Sequence, residues 1–247
     1  MEGISTEIRQ KYLTVLERIQ KAAQSAGRTG EPVRLVVVTK GQPASVIRAA
    51  VEAGVEILGE NYPEETLQKI QEIGKLPGTA WHMIGHLQSR KAGIVADHFD
   101  MIHSLDSFRL ARKLDALMAA RGRVLPALLE FNVGGEESKH GWDAFDETKW
   151  DSLLPDVEQI LALPNIAVQG LMTMPPYFED CEQARPYFVK LRRLGEFLAS
   201  RFSSYPGSPS FSEYSMGTSI DYEVAVQEGA TYVRVGTAIV GPRPKKA

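Results

Sequence analysis

The sequence predicts an α/β fold of the (β/α)8 TIM-barrel class, with an extra helix at the N-terminus. Three observations carry this expectation. Eight short apolar runs alternate with amphipathic helical stretches, and alternation of this kind demands parallel strands, because each helix carries the chain back to start the next one. The residues that close those runs are polar or glycine, as they are where a barrel builds a site at its strand C-termini. No G-x-G-x-x-G follows the first run, which disfavours the competing doubly wound open sheet.

Taken in order, residues 4–26 form an amphipathic helix, with Ile8, Tyr12, Val15, Leu16 and Ile19 at helical spacing and Gly27 as its stop. Strand 34–40 (RLVVVTK) precedes helix 44–54. Strand 55–61 (VEILGEN) precedes helix 63–74, which has Pro63 in its first turn. Strand 80–85 leads to helix 87–96, strand 99–106 to helix 107–122, and strand 124–133, through a polar loop at 134–146, to helix 147–163. Strand 166–174 runs past two prolines to helix 179–202, and strand 210–217 precedes helix 219–229. The segment TYVRVGTAIVG supplies the eighth strand but almost no helix, so the N-terminal helix is expected to cover that gap. Without a composition break or long linker, residues 1–247 read as a single domain. The 134–146 loop is the longest irregular stretch and a candidate for mobility.

The 247 residues are 43% hydrophobic and 24% charged, with a formal net charge of -3. This gives no reason to expect nucleic acid or an acidic membrane surface as a partner. The lysines of the GPRPKKA tail read as solvated. One cysteine, Cys181, excludes an internal disulfide and fits a reducing cytoplasm. The acidic N-terminus lacks the apolar core of a signal peptide, and no apolar run is long enough to span a membrane. A soluble, cytoplasmic, monomeric protein is the expectation.

The strand ends hold the chemistry. The segments SMGTSID and GTAIVG place small and hydroxyl residues after the seventh and eighth strands. That is where barrels often bind phosphate through free backbone N–H groups; plain capping, with Thr218 and Asp221 at capping-box spacing, is the alternative. Lys40 closes the first strand. It either snorkels to solvent, pairs with a carboxylate such as Glu60, or is an amine desolvated enough to attack a carbonyl. Beside a phosphate site, the last reading selects a phosphorylated aldehyde or ketone: pyridoxal 5′-phosphate (PLP) or a phosphosugar. Arg234 interrupts the apolar YVRVG, and strand alternation turns it the same way as Gly236. It either pairs with a carboxylate or faces a pyridine nitrogen, which it would keep unprotonated and so weaken as an electron sink.

The segments TKGQP, GENYPEE, WHMIGHLQSRK, GEESKHGW, GLMTMPPY and SMGTSIDYEVAVQEGATYVRVGTAIVG together resemble the pyridoxal phosphate homeostasis (YggS/PROSC-type) family over nearly the whole chain, in the family's order. The resemblance implies a PLP-binding barrel similar to the N-terminal domain of alanine racemase, with vitamin B6 homeostasis as its role. It implies Lys40 as the Schiff-base lysine, Arg234 at the pyridine nitrogen, Ser215, Ser219, Gly236 and Thr237 around the phosphate, and Asn61 near the ring. Pro63, Arg90, His140 and Trp142 depart from the family's usual residues and touch only its rim and loop contacts.

A racemase needs a second acid/base opposite the lysine, supplied in the alanine racemase relatives by a further domain. This sequence ends ten residues after Thr237. A PLP carrier and buffer without catalytic residues, handing PLP to apo-PLP enzymes, is therefore expected. The alternatives are a weak PLP-dependent amino-acid racemase or related enzyme, with Tyr62, His82 or His86 as acid/base, and a Schiff-base aldolase active without PLP. His82 and His86 sit four apart at a strand end without an evident third ligand, so no metal is expected. Cys181 reads as a structural thiol. Lys139, in the 134–146 loop, is a candidate second amine for PLP in transit.

Overall fold

A computed structural model describes residues 2–74, 76–205 and 209–244; the tail lysines Lys245 and Lys246 lie outside them. Helix α1 (Glu2–Ser25) is followed by β1 (Arg34–Val38), α2 (Ala44–Glu52), β2 (Ile57–Glu60), α3 (Pro63–Ile73), β3 (Ala80–Met83), α4 (Ala92–His98), β4 (Met101–Leu105), α5 (Phe108–Ala119) and β5 (Leu125–Asn132). The chain continues through β6 (Trp142–Asp143), α6 (Leu154–Leu161), β7 (Ile166–Met172), α7 (Arg185–Arg201), β8 (Glu213–Ser215), α8 (Tyr222–Gln227), β9 (Tyr232–Val235) and α9 (Thr237–Val240). Eight strands run in the order β4-β3-β2-β1-β9-β8-β7-β5, and pairing of β4 with β5 closes the ring. The neighbouring pairs are parallel. This is the (β/α)8 barrel that the alternation predicts.

Two apolar layers follow from strand alternation. On β1, Leu35 and Val37 join the large core between strands and helices, while Val36 faces inward with Met101, Leu128, Met172 and Tyr232. Helix α1 packs on α2, α8 and α9. It fills the place that the one-turn α9 leaves open, burying Ile8, Val15 and Ile19, and Gly27 follows its end at φ +73.

Three predicted helices divide. Residues 147–163 become a 3₁₀ turn (Glu147–Leu153) and α6, and residues 181–201 become a 3₁₀ turn (Cys181–Ala184) and α7. A proline in the first turn of each following helix explains both breaks: Pro155 and Pro186 have no N–H to continue an incoming helix but suit the start of a new one. The third, 87–96, starts as a 3₁₀ turn at Ser89–Lys91 before α4. The 134–146 loop contains an unforeseen strand, β6, which extends the edge of β5 through Phe131 and Asn132.

If α1 is a structural member of the helix layer, Ile19→Ala costs about 2–4 kcal/mol in denaturant unfolding. The exposed neighbour substitution Gln20→Ala stays within about 0.5 kcal/mol. Equal effects of the two would show that α1 packs otherwise.

Candidate active site

The barrel's C-terminal mouth encloses a cavity of about 320 Å³ lined by, among others, Lys40, Asn61, Glu130, Arg234, Gly236 and Thr237, a size within the range of small-molecule sites. Of the sequence-predicted residues, Lys40, Asn61, Ser219, Arg234, Gly236 and Thr237 all face it. Ser215 does not. It is fully buried below the cavity, because alternation on β8 turns it into the barrel, where it supports Arg234. Among the proposed acid/bases, His86 lines the cavity, whereas Tyr62 is 54% exposed on the surface and His82 lies in the interior.

Arg234 is buried and forms no ion pair among the described residues. Its Nη1 donates to Ser215 Oγ (2.5 Å), and its Nη2 donates to the Thr173 carbonyl (2.9 Å) and lies 2.8 Å from Met174 Sδ. A guanidinium only donates, so Ser215 accepts from it and passes its own proton toward His103 Nδ1, 2.8 Å away. That leaves His103 Nε2 as the donor to His82 Nδ1 at 2.9 Å. Both rings are neutral: burial pushes His82 down to about 4 and His103 well below the usual histidine range. Burial also pulls Arg234 down to about 10, against the attraction of Asp221 and Glu130.

Lys40 is half-buried and, among the described residues, has no hydrogen-bond or ion-pair partner. Burial lowers its pKa; Arg243 and Arg234 lower it further, and Glu60 opposes them. The expected alternative, a Lys40–Glu60 ion pair, is absent because another lysine occupies that carboxylate. Lys69 Nζ donates to Glu60 Oε1 (2.7 Å), Glu65 Oε1 (2.5 Å) and the Thr39 carbonyl (2.9 Å). Glu65 Oε1 in turn accepts from Gly41 N–H at 2.6 Å, and Glu60 from Thr39 Oγ1 at 2.7 Å. Both peptide groups flanking Lys40 are thus held by the α3 side chains Lys69 and Glu65. The sequence reading missed Lys69; its i,i+4 spacing from Glu65 was the one available signal.

The 218–221 turn carries half of the expected capping box: Thr218 N–H and Oγ1 donate to Asp221 Oδ1 (2.6 and 2.9 Å), but Asp221 N–H meets the Thr218 carbonyl and α8 starts only after Asp221. Gly236 N–H donates to Ser219 Oγ at 3.2 Å, tying the β8 and β9 ends together. Gly217 sits at φ +89 and Gly85 lies against Asn61, where a Cβ would come within 2.7 Å of the Asn61 Cα. Opposite, His86 and His140 stack at 3.8 Å with 10° between rings, and Asp106 Oδ2 is 2.7 Å from His86 Nδ1. The three groups bring ligand-type atoms within 4.8 Å of one another. Parallel rings keep their lone pairs in separate planes, so as arranged the two imidazoles do not converge on one ion.

Glu130, on β5, lines the same cavity, and burial, aided by Asp106, pushes it up to about 7. Between 4.5 and that value the folded state holds a proton that the unfolded chain has lost, so this group's contribution to stability declines as pH rises. Glu130→Gln removes the ionisation. In ligand-free protein its stability relative to wild type is expected to climb through that window by up to about 3 kcal/mol, read by urea unfolding at several pH values. A difference independent of pH would show that Glu130 titrates normally.

Comparison with known proteins places this architecture. The family model described as alanine racemase, N-terminal domain, matches residues 14–244. The pyridoxal phosphate homeostasis protein of Aquifex aeolicus is 41% identical over 229 residues, covering 93% of this chain and 95% of its own. A solved structure of a protein from Bifidobacterium adolescentis aligns with TM-score 0.85 at 36% identity, covering 97% of this chain and 96% of that one. PipY of Synechococcus elongatus, solved with PLP bound, aligns with TM-score 0.73 at 34% identity, covering 90% of this chain and 100% of its own. Over nearly its whole length, then, this chain belongs to the alanine racemase N-terminal domain family and, within it, to the pyridoxal phosphate homeostasis proteins.

Proposed function

We propose that this protein binds PLP at the barrel mouth through Lys40 and acts as a cytoplasmic, monomeric carrier and buffer of PLP, with one PLP-binding barrel and no catalytic turnover. The observation that carries the reading is that one cavity is faced both by the Lys40 amine, its pKa lowered, and by a buried Arg234, neither of which has an ion-pair partner among the described residues. The residues fit the group. Asn61 lines the cavity, and among the described residues its buried Oδ1 has no hydrogen-bond partner, a cost that a small shift of the side chain toward a bound donor would relieve. Ser219, Thr237 and the Gly236 backbone supply hydroxyl and close-approach surface for a phosphate, and Arg234 would meet the ring nitrogen. PLP supplies an aldehyde for the Lys40 amine to capture as a Schiff base. PipY, solved with PLP, supports the ligand, and the relatives' name, homeostasis protein, supports the role.

A second reading, a weak PLP-dependent enzyme acting on amino acids, is favoured by Glu130. A carboxyl near pH 7 in the same cavity could move a proton. An arginine at the ring nitrogen argues against it, because an unprotonated ring stabilises carbanions poorly. Product assays on the PLP-loaded protein with several amino acids decide between the two.

Borohydride reduction of PLP-loaded protein, followed by peptide mapping, is expected to label Lys40. Lys40→Ala should retain less than about a tenth of the visible absorbance. Label elsewhere, or an undiminished band in the variant, defeats the proposal. Glu65→Ala, which releases Gly41 and one Lys69 proton, should slow PLP capture about two- to tenfold, the worth of one or two hydrogen bonds. Glu65→Gln, which keeps an acceptor, should stay within about twofold of wild type; stopped-flow absorbance reads both.

A further inference from the structure

We propose that the rim between β3 and α5 is a docking surface for a carboxylate-rich patch of a partner protein, formed by Arg90, Arg109, Arg112 and Lys113. This rests on the carrier reading and extends it to how a receiving protein is met. All four side chains are exposed. On α5 the buried face is Leu110, Ala111, Leu114 and Met118, while Arg109, Arg112, Lys113 and Ala116 fall at i, i+3, i+4 and i+7, one stripe along the solvent side.

Their charge is only partly offset. Among the described residues none of the four forms an ion pair, and Arg90 donates only to the neutral Gln88 at 3.1 Å. Two carboxylates lie nearby: Asp106 lines the same depression as Arg90 and Arg109 and is 2.7 Å from His86, and Glu64, 2.6 Å from Lys91, also feels the charge of Arg90. Some arginines elsewhere on the surface are neutralised locally, Arg121 by Asp97, Arg193 by Glu147 and Arg201 by Asp151, while the exposed Arg9, Arg48 and Arg243 are scattered singly and form no ion pair among the described residues. In a chain of net charge -3, an unpaired cluster of this kind concentrates a positive field in one place.

The topography leads to the site. Arg90 and Arg109 line one surface depression together with His86, and Arg109, Arg112 and Lys113 line a second; the two share Ser89 and Arg109. His86 also lines the Lys40 cavity, so the groove runs from the mouth outward along α5. The cations are spread along two open depressions rather than gathered on one point, which suits a broad acidic surface rather than a small anion. The groove is lined by no Phe, Tyr or Trp, and its one aromatic ring, His86, is already stacked on His140, which favours protein over nucleic acid. Rim charges of this kind act chiefly on association rate.

The test pairs the full-length protein with Arg109→Glu/Arg112→Glu and, separately, Arg90→Glu. A fluorescent polyglutamate peptide is titrated against each, and PLP transfer from the loaded proteins to an apo-aminotransferase is timed over a range of sodium chloride concentrations. Peptide binding and transfer are expected to weaken about tenfold or more in the double variant at low salt, with loss of the salt dependence and an unchanged visible PLP band. Peptide affinity equal to wild type overturns the proposal. So does tighter binding of an oligonucleotide than of the peptide, or competition by inorganic phosphate beyond its ionic strength. Failure of the wild type to acquire the PLP band would instead defeat the carrier reading, while the peptide titration still decides the surface.

Discussion

A guanidinium without a counter-ion governs this barrel. Arg234 is buried on β9 and held by a hydroxyl and a carbonyl oxygen rather than a carboxylate. A charge so placed is costly unless its surroundings are arranged for it. Below it, the Ser215–His103–His82 chain stays uncharged, since both imidazoles are pushed far toward neutrality; Tyr232 closes that stack edge-on against both rings. Above it, the field reaches the cavity. It depresses the Lys40 amine and restrains the rise of the Glu130 carboxyl. Burial is the largest cause of both shifts, and the buried cation adjusts them, behind Arg243 for Lys40 and behind Asp106 for Glu130.

The same logic separates two lysines. Lys69 has three acceptors for its three protons and two carboxylates for its charge, so it is a fixed structural cation. Lys40 has neither. The charge that could have paired Lys40 is taken by Lys69, and the network doing so clamps the Thr39 carbonyl and the Gly41 N–H on either side of Lys40. One lysine is immobilised in its charged form so that the other is positioned without being neutralised by a neighbour. An amine destined for a carbonyl needs that arrangement, because only its unprotonated form is a nucleophile.

Much of this was legible in the sequence because barrel strands alternate. Given β1 and β9, the even-numbered Val36, Val38 and Lys40 on one and Tyr232, Arg234 and Gly236 on the other had to face inward. The cavity is lined by Val38, Lys40, Arg234 and Gly236 accordingly. The family resemblance puts Ser215 at the phosphate, whereas its depth on a three-residue strand places it under Arg234. Lys69 and His103 were invisible for a different reason. Each looks like an ordinary helix or strand residue until tertiary packing brings Glu60 or Ser215 to it, and nothing in local spacing encodes contacts 9 or 112 residues apart. The helix breaks at 154 and 185 were available from the prolines.

The 134–146 loop shows how length alone misleads about freedom. Its start is fixed by Asn132, which donates to the Glu136 carbonyl and accepts from Gly135 N–H. Its end is fixed by β6, by the Trp142 indole on Asp156 and by the Ala144 N–H on the Asn132 carbonyl. Between these anchors lie Ser138, Lys139 and His140, the three that line the cavity. Gly141, at φ +96, lets the loop rest directly on β5: a Cβ there would come within 2.4 Å of the Glu130 carbonyl oxygen. The stretch over the mouth is therefore a short span hung from β5 at both ends and seated on the residue whose carboxyl lies at the edge between charge states. The His86–His140 stack adds a further contact across the mouth. The loop's place over Lys40 therefore follows from these contacts with β5 and His86 rather than from its length.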